Sequence, residues 1–301
     1  MERIARAHRT WGNPAAFIAA VVAVLVCWSC SRPHDAVAPP PRALSAAPLV
    51  ESLLGGPADM VLLVDMAAVR ADSVYAPMLP ELRRRLPSVN GEADSVEVWA
   101  RGETLLGGAP NLRITDEAGP TGDKALDPKA SKSITLPSGV VMTSRDDLLL
   151  SLFFVNGSMV FAVGAERERV RAHYAQSTEL PPKPDFGPDV LAGVQMGPGV
   201  FSKPSIGRAL MARDFGKVSG KLDAARVEAL IGRIASLSIL LRSGSHGDLR
   251  IRTSLLDERA ASDWEEVVGG TVKAEANLRC PSESGALTIE ERREGRHGVV
   301  R

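Results

Sequence analysis

Residues 148–164 read LLLSLFFV, then NG, then SMVFAVG. Two apolar runs of strand length are separated by Asn156 and Gly157, which tolerate the positive φ that a type I′ turn needs at both central positions. The stretch therefore specifies a β-hairpin. Leu148, Leu150, Leu152 and Phe154 fall on one face of the first run, and Leu149, Phe153 and Val155 on the other. Both faces are apolar, so the strand belongs inside a sheet covered on both sides, or it offers one face to a partner or an apolar ligand.

Working outward, residues 165–176 follow as a charged surface helix whose Glu-Arg-Glu-Arg run is a solvated face. Upstream, MVLLVDM (60–66) is a strand, and Leu79, Leu82 and Leu86 mark a short helix stopped by Pro87. SVEVWAR (95–101) and NLRIT (111–115) are further strands, whereas residues 116–139 carry scattered Gly and Pro and no apolar period, the pattern of a long irregular loop. Pro181, Pro182, Pro184 and Pro188 mark a boundary. Beyond it the order strand, helix, strand, strand recurs: DVLAGVQM (189–196) matches DMVLLVDM (59–66), SLSILLR (236–242) matches SVEVWAR, and LRI at Leu249 matches LRI at Leu112. A helix over 223–235 precedes the second of these strands, a closing helix over 258–268 follows the third, and residues 287–301 form a last hairpin or a disordered tail. The expected class is α+β, with two related strand-helix-strand-strand units and mainly antiparallel sheets. The units span 59–176 and 189–301, joined by a Pro-rich linker over 177–188.

The N-terminus carries Arg3, Arg6 and Arg9 and then an uncharged run over 15–26. That run is too short for a bilayer span of about 20 helical residues and fits the h-region of an export signal. It ends in CWSC, which resembles a bacterial lipoprotein signal over residues 1–29, with Ser29 before Cys30 as the small residue before the lipidated cysteine. The resemblance implies lipidation of Cys30, and a diacylglycerol plus an acyl chain such as palmitate supplies more than the single chain that gives only marginal membrane binding. Residues 30–58, rich in Pro and Ala, read as a tether in which only Leu49 to Leu54 offers a helical turn. Cleavage removes three arginines and Glu2 and leaves a net formal charge of −2, with Cys280 the remaining cysteine besides Cys30.

Lys and Arg total 36 against 36 Asp and Glu, and 45% of residues are hydrophobic but only 4% aromatic. A balanced charge lacks the electrostatic footprint of nucleic-acid binding. Gly197-Pro198-Gly199-Val200-Phe201-Ser202 imitates a nucleotide loop, but Ser202 stands in place of the third glycine and Pro198 has no N–H to offer a phosphate; a strand-to-helix turn, with the helix starting near Pro204, accounts for it. Residues 216–221 (GKVSGK) lack the first glycine and the hydroxyl of a P-loop. His34, His173, His246 and His297 are far apart and at no zinc-ligand spacing. Ser245 and His246 sit next to each other in SGSHG, where neighbouring side chains on a tight turn point apart, and Asp146 with Asp147 terminates a turn. No metal, cofactor or catalytic residue is expected.

At MVLLVDMAAVRADSVYAPML (60–79), with Asp65 closing a strand, Arg70 in the turn and a helix reaching Leu86, the chain resembles exported bacterial lipoproteins of unknown function, of proteobacterial type. The strand-turn-strand-helix run over 139–176 is similar too. The resemblance implies an envelope lipoprotein with its folded part in the periplasm or at the cell surface, and it transfers no catalytic residue. The expected function is non-catalytic: binding or scaffolding of an envelope protein through the sheet or the 116–139 loop. The alternative is a periplasm-facing carrier of an apolar ligand, and a serine hydrolase built on Ser245 and His246 ranks below both.

Overall fold

The computed structural model describes residues 48–80, 93–101, 112–116, 131–146, 149–201, 224–243, 248–264, 266, 291–294 and 297–300. The fold is mixed α+β, with helices and open antiparallel sheet, and divides into two compact units between Asp185 and Phe186.

The first unit opens with α1 (Pro48–Leu54), within the stretch expected as a tether. Val50, Leu53 and Leu54 are buried at helical spacing. Gly55, at φ +70°, ends the helix in the left-handed conformation that glycine adopts without strain. β1 (Met60–Asp65) runs into α2 (Met66–Ala71), and Asp65 caps the helix by accepting from the Ala68 N–H at 2.8 Å. Arg70 Nη1 donates to the Ala93 carbonyl at 2.8 Å and so fastens α2 to the start of the next strand. Of the helix expected through Leu79, Leu82 and Leu86, only Leu79 and Pro80 lie within the described residues, and both are helical.

The remaining strands of this unit are β2 (Ser95–Ala100), β3 (Leu112–Asp116), β4 (Lys132–Thr135), β5 (Val141–Arg145), β6 (Leu150–Val155) and β7 (Ser158–Val163). Their spatial order is β1-β2-β3-β7-β6-β5-β4, and the pairings are antiparallel. Two expectations are corrected here. β4 falls inside the segment read as irregular, because its four exposed residues carry no apolar period that a sequence could show. Leu149 does not continue the strand: it sits at φ 50° in the turn before β6 and is 54% exposed. β7 leads into α3 (Glu166–Tyr174), which packs against α1 and on β6 and β7. Tyr174 carries that contact, with its ring centroid 5.4 Å from that of Phe153. The Ser138 hydroxyl donates to the Tyr174 carbonyl, and Asn156 Nδ2 donates to the Thr178 carbonyl at 3.0 Å, so both hairpin turns grip the end of α3 and the segment after it.

The second unit has β8 (Val190–Met196), α4 (Pro198–Phe201), α5 (Ala224–Ile231), β9 (Ile234–Arg242), β10 (Asp248–Leu255), α6 (Glu258–Trp264), β11 (Glu291–Glu294) and β12 (His297–Val300), with strand order β8-β9-β10-β12-β11. α4 starts at Pro198, since proline suits the first turn of a helix, where its missing N–H goes unused; Pro204, where the helix start is expected, lies outside the described residues. β11 and β12 pair antiparallel, with Glu291 opposite Val300 and Glu294 opposite His297. Asp257 accepts from the Ala260 N–H at 2.9 Å and so caps α6; that bond, with Arg233 beside it, holds the Asp257 carboxyl below the usual carboxylate range. Each unit thus has its third strand paired with the last strand of a two-residue hairpin: Asp116 stands opposite Ser158, and Ser254 opposite His297. The two LRI triplets differ in register, since Leu112 pairs with Trp99 and Leu249 with Leu241.

Two stability predictions follow from buried contacts. A Cβ on Gly193 would meet the Phe186 ring at 2.7 Å, so Gly193→Ala should destabilise the second unit by about 1–3 kcal/mol. Urea unfolding followed by Trp264 fluorescence in a protein whose Trp11, Trp28 and Trp99 are replaced by Phe measures it, and an unchanged midpoint would refute the close packing. Burial pushes the Tyr174 phenol far above its ordinary value, and its hydroxyl has no hydrogen-bond partner among the described residues. The unfolded phenol ionises near pH 10 while the folded one stays neutral, so its contribution is whole below about pH 10 and is lost as pH rises beyond. The wild-type urea midpoint should therefore fall between about pH 9 and 11 relative to that of Tyr174→Phe, whose stability below that range should equal or exceed wild type.

Candidate functional site

Register decides which side chains of the hairpin share a face. Phe154 pairs with Met159 on one side and Val141 on the other; Leu152 pairs with Phe161 and Thr143; Leu150 pairs with Val163 and Arg145. These three rows lie one above another on the face away from Phe153, hence away from α3. Leu150, Leu152, Met159 and Phe161 form a buried cluster, with Phe154 and Val163 packed against it and partly exposed.

Accessibility is graded along this face. Val141, at 40%, is exposed, its partner Phe154 is half-buried, and Leu152 is closed to solvent. The rows make an apolar strip that starts at the surface and runs inward along β6. At its far side β3 brings Arg113 opposite Phe161, with the guanidinium carbon 3.9 Å from the ring centroid. A cation over an aromatic face is attracted by the ring quadrupole, by about 0.5–2 kcal/mol depending on desolvation. Arg113 therefore caps the aromatic end of the strip while its stem covers apolar surface.

The strip was half visible beforehand. Leu150, Leu152 and Phe154 are read correctly as one face, but Val141, Thr143 and Arg113 join it through strand pairing over long sequence separations, which no local pattern reveals. Leu148 lies outside the described residues, as do Cys30, Cys280, His34, Ser245, His246, Asp147, residues 216–221 and residues 117–130 of the expected loop. Asp146 is exposed and pairs with Arg167 at 3.3 Å, a surface ion pair worth about 0–1 kcal/mol. The His173 Nε2 lies 3.0 Å from the Glu179 carbonyl oxygen, where it secures the segment after α3. Gly197 and Pro198 form the entry to α4, with the Val200 N–H donating to the Gly197 carbonyl at 3.2 Å. Among the described residues no three His, Cys, Asp or Glu side chains gather as metal ligands, and no helix is long and apolar enough to cross a membrane.

No family model matches the chain, and no curated protein matches it in sequence. Solved structures of TP0453 do align with it. Crystal form I gives a TM-score of 0.42 at 9% identity over 85% of this chain and 92% of that one. Crystal form III gives 0.40 at 9% identity over 86% and 93%.

Proposed function

We propose that the chain is a lipid-anchored, non-catalytic protein of the bacterial cell envelope that binds an apolar ligand along the β5-β6-β7 strip. The supporting observation is the graded row from exposed Val141 through half-buried Phe154 to buried Leu152 and Phe161. Each methylene buried there would contribute about 0.8 kcal/mol. The opening is narrow, one exposed valine beside one half-buried phenylalanine, whereas a stable protein partner buries roughly 800 Å² on each side. A slender apolar ligand is the better occupant.

In this reading residues 1–29 are the export signal, Cys30 carries the lipid, and the chain up to α1 tethers the folded units to the membrane. The folded units follow, the first opening with α1 and running to 176 and the second spanning 189–301, joined by 177–188, and they descend from one duplicated unit. The duplication is supported by the shared course of strand, helix, strand, strand and hairpin, with each hairpin's second strand beside the unit's third.

A fluorescent apolar probe such as N-phenyl-1-naphthylamine tests the strip. Wild type should bind it saturably, and Phe154→Asp should weaken binding at least about tenfold, since a carboxylate in an apolar row costs more than the 1.4 kcal/mol of one decade. Leu149→Asp, exposed and off the strip, should leave it unchanged. Equal binding by wild type and Phe154→Asp would remove the strip as the site. Membrane fractionation of Cys30→Ala tests the anchor: the substituted protein should leave the membrane fraction, and retention there at full precursor length would instead identify residues 15–28 as the anchor.

A further inference from the structure

In the second unit Gln195, Ser238 and Arg252 stand directly opposite one another across β8, β9 and β10, so the three side chains leave the sheet on one face in a single row. With strands about 4.8 Å apart, the ends of the row are roughly 10 Å apart at the backbone. Ser238 is 5% exposed. Its Oγ and the Oε1 of Gln195 are buried and have no hydrogen-bond partner among the described residues. Arg252 is half-buried. One row further along the same face, Gly193 pairs with Leu240, and the Phe186 ring lies against Gly193 as a wall.

A hydroxyl and an amide oxygen buried side by side without partners each cost about 1–3 kcal/mol, and folded proteins seldom leave such atoms unmet. The row offers a cation at one end, a hydroxyl that donates or accepts in the middle, and a carbonyl acceptor at the other end. A ligand satisfying all three has an anionic oxygen and, one or two bonds from its carbon, an O–H or N–H. We propose that this row binds a small carboxylate with a hydrogen-bond donor on the adjacent carbon, as in an α-hydroxy acid. The carboxylate meets Arg252 and the Ser238 hydroxyl, and the ligand's own donor meets Gln195 Oε1. The three side chains stand on paired strands, which hold them more firmly than a loop would. Hydrogen phosphate carries the same pair of features, an anionic oxygen and a hydroxyl.

Calorimetric titration of the full, detergent-solubilised protein with L-lactate, acetate and inorganic phosphate separates these sources. Lactate should saturate and bind more tightly than acetate, which has no donor; phosphate binding more tightly than lactate would keep the row and assign its anion to a phosphate group. Arg252→Met should weaken lactate at least tenfold, the loss of one charge-assisted contact. Gln195→Leu should bring lactate down to the affinity of acetate, and Arg252→Lys, with an unchanged circular dichroism spectrum, should fall between wild type and Arg252→Met. Three results overturn the proposal: no probe saturating beyond the effect of equal chloride; lactate affinity unchanged in Arg252→Met; or Ser238→Ala raising stability with lactate binding intact, which marks the hydroxyl as an unfavourable buried group and nothing more. The apolar-probe experiment reads the other unit, so each proposal can fail without the other.

Discussion

The turn at Asn156 and Gly157 holds the first unit in register. Both residues take positive φ, 49° and 83°, which matches the twist of the two strands they join. With Val155 set opposite Ser158, every later pair follows, up to Leu150 opposite Val163. A slip of one residue would carry Leu152 and Phe161 to the face under α3 and turn Phe153 away from Tyr174. The aromatic contact that seats α3, the burial of the apolar cluster and the opening at Val141 and Phe154 all depend on a count of two residues in one turn.

Within the two units, buried strands manage polar groups in two ways. Glu97 lies on a fully buried strand at 2% exposure and accepts a hydrogen bond from Ser95 at 3.2 Å, so a carboxyl oxygen finds its partner within the fold. Ser238 occupies a central strand of the other unit, equally hidden, and its oxygen is left unmet. The cost of a buried polar group depends on whether a partner arrives with the fold or from outside it. That difference separates a residue that secures a sheet from one that is available to a ligand.

Much of the architecture was legible because its signals are local. The apolar runs of strand length and the Asn-Gly turn mark the sequence directly. What escaped was set by distant pairing or by packing. β4 has no apolar face to betray it, whereas α1, inside a Pro/Ala-rich stretch, shows in the sequence as a helical turn over 49–54 through Val50, Leu53 and Leu54. Leu149 looks like the continuation of a strand until the left-handed turn removes it. The LRI triplets, alike as letters, stand at different registers, since a match of three residues says nothing about which neighbour each will face. The row Gln195, Ser238 and Arg252 is assembled from three strands and exists only once β9 lies between its neighbours.

β4 also bears on how molecules of this protein behave when crowded. It ends the strand order of its unit, and all of its residues, Lys132 to Thr135, face solvent, Ile134 among them. An outer strand of this kind is a template on which another chain can add, and proteins held on a surface meet one another far more often than proteins free in solution. Lys132 at the start of β4 counters this: an extended neighbour approaching that edge would have to desolvate an ammonium group. One charge at a strand end thus works against strand addition between copies, a task unrelated to folding or binding and invisible in the stability of any single molecule.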